Sequence, residues 1–541
     1  MIFDVLVIGS GPAGVQTLAG FAGKRLLLGL IDPGKVETQY SKLIPDKNFS
    51  EIRRSCRLQR RFFLGDKLEA LKDWGTRLAA QMTPPRQYLL EGTRENFPFR
   101  SQTFNYFQTL AQGGLGSGWG AGVCTFNCAE MDEVGIDGTD MSLYYSKVAR
   151  SIGVSLAPMD DTTSLVCELN PVQKPLKVDR NARALLEAYE KNRQGLNKAG
   201  FFLGRAPLAV LTEDREKNGI FRSAYPYHNM DYYSDSRGSV YRPAYTLREL
   251  LKEPGFEYFQ GYLALNVTER EGLVSVICKP ISAEETLILR ARKVVLAAGA
   301  LNTARLVAAS YQVFGRKLPL LSNEVRFFPS INLSRVGRDP GIRKCSLAQL
   351  VGVLHGANQD RLISYLFSYE SLLFFRLVRE FPLPVGLGHL LAKAIVSSLT
   401  IATLHFPDRL TRLKWIRVLR PVAGKQLPEL EADYGLTYRE EERIIEAGER
   451  LKSHLFRLNA IPLRVINRGS GTAVHYGGTL PFEARGEPYV TCHLDGRLNG
   501  TKSIYIADSA SWRFLPAKGP TLTIMANARR VAKEVVKTLV E

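Results

Sequence analysis

The sequence predicts an α/β fold whose parallel sheet is assembled from widely separated stretches of the chain. Three observations carry that expectation. The chain opens "MIFDVLVIGSGPAGVQTLAGFAGKRLLLGLIDPG", where an apolar run, a glycine turn, a helical pattern and a second apolar run follow one another as a βαβ unit. Far downstream, "KVVLAAGALNTARLV" at 293–307 is a continuous apolar run that ends in small residues and turns into a helix, the pattern of a strand buried on both faces. The closing segment repeats the theme, with a strand at 503–507, an acid at Asp508, a loop holding Pro516, Gly519 and Pro520, and a long helix from 521.

In the opening, a strand is predicted over 2–8, a helix over roughly 12–23 and a second strand over 26–31. Gly9 allows the tight turn, Gly11 lets the backbone approach a pyrophosphate, and Gly14 lets the helix pack close to the strand. The amides at the helix start would face the phosphates. Asp32 ends the second strand, where a carboxylate accepts hydrogen bonds from a ribose. Strand, turn, helix, strand and acid thus fall in the order of a dinucleotide site. The pattern fits FAD or NAD, and the acid disfavours a 2′-phosphate, which argues against NADP.

A second glycine cluster, "AQGGLGSGWGAGV" at 111–123, is too glycine-rich to be the interior of a helix or strand. Leu115, Trp119 and Val123 interrupt it, so it reads as an apolar loop lying against a cofactor and not as a flexible linker.

At 541 residues the chain has room for roughly two to four domain-sized units. Its 45% hydrophobic and 23% charged residues are those of a globular protein and exclude a disordered or collagen-like chain. Lys and Arg outnumber Asp and Glu by 72 to 53, a net charge of +19, which favours acidic partners. Without a basic run interleaved with aromatics, and without zinc-finger spacing, nucleic acid is set aside. The seven cysteines show no CxxC spacing, so neither a disulfide framework nor a metal site is expected, and a reducing compartment fits best. The first apolar run begins at residue 2 with no basic leader, so no signal peptide is expected.

Four separated stretches, "DVLVIGSGPAG", "GGLGSGWGAG", "VVLAAGALNTARL" and the terminal "HYGGT…GRLNGTKSIYIADSASWRFLPAKGPTLTIMANA", together resemble the glucose–methanol–choline family of FAD-dependent oxidoreductases. The last stretch is the most specific, because its histidine, its strand-ending acid and its PTLTI helix start recur in the family's order. The resemblance implies an FAD-binding Rossmann-like domain built from discontinuous segments, 1–150, 255–320 and 465–541. An interleaved α+β substrate domain containing an antiparallel sheet would come from 151–254 and 321–464. Those two stretches hold the helical pattern "NARALLEAYEKNRQGL" and the Tyr-rich "YPYHNMDYYSDSRGSVYRP" but no nucleotide-site features.

By the same resemblance Gly9, Gly11, Gly14 and Asp32 hold the ADP half of FAD. Gly113, Gly114, Gly116, Ser117 and Trp119 run beside the flavin and pyrophosphate, Val267 lies near the adenine, and Asp508 and Thr521 meet the ribityl and ring ends. The helix from Thr521 would aim its positive end at the flavin, where reduction builds negative charge. Non-covalent binding is expected, since the second glycine loop offers no His or Cys.

Oxidising an alcohol requires a hydride acceptor and a base for the hydroxyl proton, and a histidine with an ordinary pKa near ~6.5 suits the second task. His475, in "GSGTAVHYGGT", stands where the family places its catalytic histidine, which implies dehydrogenation of a C–OH group to a carbonyl. The family adds a second His or Asn in the loop before the last helix. Here that position is Gly519. Lys518 beside it is the catalytic candidate to take over, and Tyr225, Tyr227, His228 and His405 are others. His493 reads as a turn residue. A redox-neutral lyase or isomerase on the same scaffold, favoured by Gly519, stays open. So does an FAD-binding protein with a dead site that binds a partner.

Residues 370–425 are basic and apolar, but their longest uncharged run, Ala394–Phe406, has thirteen residues against the ~20 needed to cross a bilayer. Within them "DRLTRLKWIRVLR" places Leu410, Leu413, Ile416 and Leu419 at helical spacing with Trp415 close by. It reads as an amphipathic helix, which would either pack on the substrate domain or lie on an anionic membrane surface. The expected partner is a sugar-like, lipid-linked or specialised-metabolite alcohol, joined by an anionic membrane surface if the segment lies on one. The expected location is the cytoplasm, peripheral to the inner face of the membrane in that same case.

Overall fold

The computed structural model describes residues 1–71, 82–136, 138–170, 173–227, 235, 237–339, 341, 345–356, 360–369, 378, 382–421 and 427–540. The opening forms strand Ile2–Ile8, helix Pro12–Phe21 and strand Leu28–Asp32. Strand Ile2–Ile8 lies inside a seven-stranded sheet, parallel to Leu28–Asp32 on one side and to Leu287–Leu296 on the other. Val5, Leu6 and Val7 are fully buried, because helices or loops cover both faces, and this is why the sequence there is apolar without alternation. Strand Ile504–Ile506 pairs in parallel beyond Leu287–Leu296, so the three distant sequence signals become neighbours in one sheet. Strands Leu273–Pro280 and Tyr262–Arg270 complete that side as an antiparallel hairpin. Helix Pro12–Phe21 packs on the terminal helix Thr521–Val540 at Gly20, where an added Cβ would stand 2.6 Å from that of Ala532.

The second layer is a six-stranded antiparallel sheet in the order Ala460–Pro462, Val325–Asn332, Leu399–His405, Arg361–Ser368, Leu350–His355 and Phe201–Arg205. Helices Arg180–Lys198 and Tyr438–Arg457 lie on it, burying Leu185, Tyr189, Leu451 and Leu455 against Leu203, Phe328, Leu350 and Leu404. Both helices start from a side-chain cap, Asp179 and Thr437, as amphipathic surface helices should. The short helix Pro243–Leu250, although it falls within 151–254, packs on the first domain, with Leu247 and Leu250 in the same core as helix Pro12–Phe21. Among the described residues no helix is long and apolar enough to cross a membrane.

The segment "DRLTRLKWIRVLR" corrects the sequence expectation: it is not a helix. Asp408–Arg409 pairs with Phe514–Leu515, and Lys414–Val418 is a strand between Leu318–Pro319 and Leu430–Tyr434. The operative period is two and not 3.6. Lys414, Ile416 and Val418 point inward and are buried, Trp415 and Arg417 alternate outward, and Leu413, counted on the apolar stripe, is 48% exposed. β-Branched Ile416 and Val418 with Trp415 suit a strand. The deciding contact is ionic: Lys414, 1% exposed, bonds to Asp408 at 2.6 Å and Glu440 at 2.5 Å, with Tyr434 and the Ser322 amide also bonded to Asp408.

That burial is testable. Lys414→Ala leaves a buried carboxylate without its cation and is expected to destabilise the fold by about 3–5 kcal/mol in chemical denaturation, whereas Arg412→Ala, at an exposed position two residues away, is expected to do nothing comparable. Equal effects at the two positions would contradict the strand assignment.

Candidate active site

A cavity of about 490 Å³ runs from the first glycine turn and Asp32 to His475, between the sheet and the loops at the carboxyl ends of its parallel strands. Gly9 and Gly11 line it, with Gly9 at φ +103°. A Cβ on Gly9 would come within 2.5 Å of the Ala297 carbonyl oxygen, and one on Gly14 within 1.8 Å of the Gly9 carbonyl oxygen. Gly14 therefore sits behind the cavity wall, where helix meets strand. Gly114 approaches the same turn so closely that its Cβ would lie 3.1 Å from the Gly11 Cα, so the two glycine loops pack backbone against backbone in the cavity wall.

Ser10, which the sequence reading passed over, joins these parts. Its amide and hydroxyl both donate to Asp32, at 2.9 and 2.7 Å, and its hydroxyl accepts from the Gly113 amide at 2.8 Å. Burial pushes the Asp32 carboxyl up to about 6 against those bonds. Gly116 and Trp119 also line the cavity, Trp119 fixed by its indole N–H to the Tyr241 carbonyl at 2.8 Å. Ser117 turns its hydroxyl to the Gln112 carbonyl at 2.6 Å and shapes the loop from behind. Val267 is buried in strand Tyr262–Arg270, which reaches the cavity through Tyr262, Leu263 and Ala264, residues nearer its start.

Two buried charges occupy the middle. Asp508 collects the Gly299 amide at 2.9 Å, the Thr303 hydroxyl at 2.6 Å and the Ala510 amide at 2.9 Å, and burial raises it to about 6. Arg305 is the one cation among the described lining residues, and the sequence reading missed it inside "LNTARL". It is 1% exposed, bonded to the Pro98 carbonyl, Gln108 and Asn302, and its Nε is buried with no partner. Burial without an acidic neighbour depresses it to about 9. A buried guanidinium with an orphaned N–H, beside a backbone cradle and the start of helix Ala300–Tyr311, fits an anionic ligand such as a pyrophosphate.

At the far end the chain turns through Val474, a β-branched residue held at φ +60°, to present His475. Strand Tyr476–Gly477 then pairs with Leu321–Ser322, which sets Asn323 beside the imidazole. His475 Nδ1 lies 2.9 Å from Asn323 Oδ1. The Asn323 amide nitrogen donates to the Phe406 carbonyl at 2.7 Å and the Pro516 carbonyl at 2.9 Å, so its oxygen is the end that faces the ring. Nδ1 must then carry the proton, and Nε2 holds the lone pair. Burial lowers the imidazole to about 4, so it is neutral at physiological pH.

Gly519 leaves space, and aromatic rings fill it. A Cβ there would lie 3.6 Å from the Tyr365 hydroxyl, which also meets Cys124 Sγ at 3.1 Å. Tyr365 stands edge-on to His405 at 5.6 Å between ring centroids, and His405 stacks on His475 at 5.8 Å. His405 is 9% exposed with Nδ1 unpartnered, and burial together with the neighbouring His475 depresses it to about 3. Lys518 points elsewhere: its ammonium bonds to Glu130 at 2.8 Å and the Thr125 carbonyl at 2.9 Å, outside the cavity lining. Tyr225 and Tyr227 pack on each other away from the lining, and His228 lies outside the described residues. His493 occupies a turn beside Asp495. Thr521 and Pro520 line the cavity, so helix Thr521–Val540 starts at its wall.

No family model matches the chain, and no curated protein matches it. Solved structures do: the crystal structure of pyridoxine 4-oxidase from Mesorbium loti covers 98% of this chain and 98% of its own, at 14% identity and a TM-score of 0.59. At that identity the likeness establishes the fold, an α/β nucleotide-type domain with an interleaved antiparallel-sheet domain.

The tautomer is open to direct measurement. In ¹⁵N spectra of selectively labelled histidine at neutral pH, His475 is expected to show a protonated Nδ1 and an unprotonated Nε2, a preference that Asn323→Ala should erase. An Nε2–H tautomer in the unsubstituted protein would overturn the assignment.

Proposed function

We propose that the chain binds FAD without a covalent link and dehydrogenates a C–OH group of a small-molecule or lipid-linked substrate to a carbonyl. The observation that carries this reading is the commitment of His475 to Nδ1–H by Asn323, which leaves Nε2 as a proton acceptor inside the cavity. The fold shared with pyridoxine 4-oxidase supports an oxidoreductase over the redox-neutral and inactive alternatives.

The residues present fit FAD. Asp32 with the turn Gly9–Gly14 would take the ADP half, Gly114 and Arg305 offer backbone approach and positive charge for the pyrophosphate, and the start of helix Thr521–Val540 would face the ring. When bound, FAD supplies the acceptor for the hydride that leaves the substrate carbon. The protein's part is the proton. As the C–H electron pair departs, His475 Nε2 takes the hydroxyl proton and the C–O bond becomes a carbonyl. Asn323 Oδ1 accepts from Nδ1–H throughout, and that bond strengthens when the ring becomes positive. His405, stacked on the same ring at 5.8 Å, is a positioning residue that holds its plane, while burial alone keeps the acceptor neutral until substrate arrives.

Anaerobic mixing of the flavin-loaded protein with a panel of alcohols is expected to bleach the flavin, while turnover without bleaching would favour a lyase or isomerase. His475→Ala should slow reduction about 100-fold or more with FAD still bound. The base works only when neutral, and burial has lowered it. The reduction rate should therefore stay level from neutral pH through the ordinary histidine range near ~6.5 and fall only as pH drops toward about 4. An acid limb near ~6.5 would contradict a buried His475 as the base.

A further inference from the structure

We propose that helix Val385–Ile395 and the turn beside it form a docking face for an anionic lipid surface. The helix is inside-out. The residues it buries are Gly388 and Ala392, one turn apart, whereas Leu383, Val385, Leu387, Leu390 and Leu391 are 45, 77, 56, 65 and 39% exposed. A helix that merely covers a globular core turns its large apolar residues inward and its polar residues out. Here the smallest side chains make the contact with the body, and the large ones face away from it.

The surface continues onto the turn Leu333–Arg335. The Gly337 amide donates to the Ala394 carbonyl at 2.8 Å and the Ser397 hydroxyl to the Arg335 carbonyl at 2.8 Å, which fasten the turn to the end of the helix. Leu333 and Val336 on that turn are 56 and 42% exposed. Scattered single apolar residues on a surface require no explanation, but a contiguous group of this size marks a contact.

Charge selects the partner. Residues 382–398 contain no Asp or Glu, and exposed Lys393 and Arg338 pair with no acid among the described residues. Asp339, the acid on the turn, is already bonded to Arg180 at 2.5 Å. Apolar side chains rimmed by unpaired cations match the acyl boundary and anionic headgroups of a membrane, and the chain's net charge of +19 acts in the same direction. A two-fold contact between copies would set the same cations against each other with no acid to meet them, so lipid is favoured over a second copy. The face falls within the basic, apolar residues 370–425 but upstream of 408–420, the stretch whose spacing suggested an amphipathic helix, and strand Leu399–His405 carries the chain from it to the histidine pair over a length of ~20 Å. Substitutions there leave the cavity untouched.

The test is co-sedimentation of the full chain with vesicles of phosphatidylcholine alone or mixed with phosphatidylglycerol. Binding is expected to the anionic vesicles, about tenfold stronger than to the neutral ones and weakened by salt. Leu387→Glu with Leu390→Glu should reduce it about tenfold, and Arg338→Glu with Lys393→Glu should remove the anionic preference, with thermal unfolding unchanged in both. Absence of binding to either vesicle, or binding that Leu387→Glu with Leu390→Glu leaves intact, overturns the proposal. A dimer dissociated by the same leucine substitutions assigns the face to a second copy and overturns it as well.

Discussion

One carboxamide sets the geometry on which the His475 end of the cavity depends. Asn323 is 1% exposed and sits between two strand pairings, Leu321–Ser322 with Tyr476–Gly477 and Val325–Asn332 with Leu399–His405. Its nitrogen holds the carbonyls of Phe406 and Pro516, and its oxygen holds the His475 ring. The antiparallel sheet, the loop before the last helix and the histidine are thus fastened to one planar group. A flipped amide would leave the buried carbonyls of Phe406 and Pro516 facing an oxygen. With each unsatisfied buried polar group costing about 1–3 kcal/mol, one orientation is overwhelmingly preferred, and the tautomer follows from it.

What was legible in the sequence was whatever depends on local backbone demands. The Gly9–Gly14 turn, the continuous apolar strand before Gly299 and the helix start behind Pro520 each require particular residue types at fixed spacing, and each is where the pattern put it. The parallel sheet could be read from distant pieces because strands buried on both faces announce themselves. Asn323 and Arg305 were not legible, for a common reason. Each is a polar residue whose role is defined by partners brought near only by tertiary structure, Phe406 and Pro516 for the one, Pro98 and Gln108 for the other.

The misread strand at 414–418 shows a different limit. Apolar residues at helical spacing were real but incidental, because a pattern of apolar positions takes no account of Lys414. Once Asp408 and Glu440 close on that ammonium, lysine becomes an inward residue, and the period of burial changes from 3.6 to two. Hydrophobic periodicity is blind to a charge that the fold pairs and buries.

The same principle orders the cavity. A buried charge is retained only where partners offset its desolvation, and Lys414 has two carboxylates within 2.6 Å. Lys518 likewise has Glu130. Arg305, buried as deeply, has dipoles and no carboxylate, and one of its N–H groups meets nothing. Asp32 and Asp508, held by amides and hydroxyls with no cation, are likewise pushed toward the neutral form. The ion pairs of Lys414 and Lys518 are complete within the chain, whereas Arg305, Asp32 and Asp508 along the cavity have no opposite charge bonded to them among the described residues. That contrast separates the buried charges that hold the fold together from those left to meet a ligand, and it is there that the proposed FAD would sit.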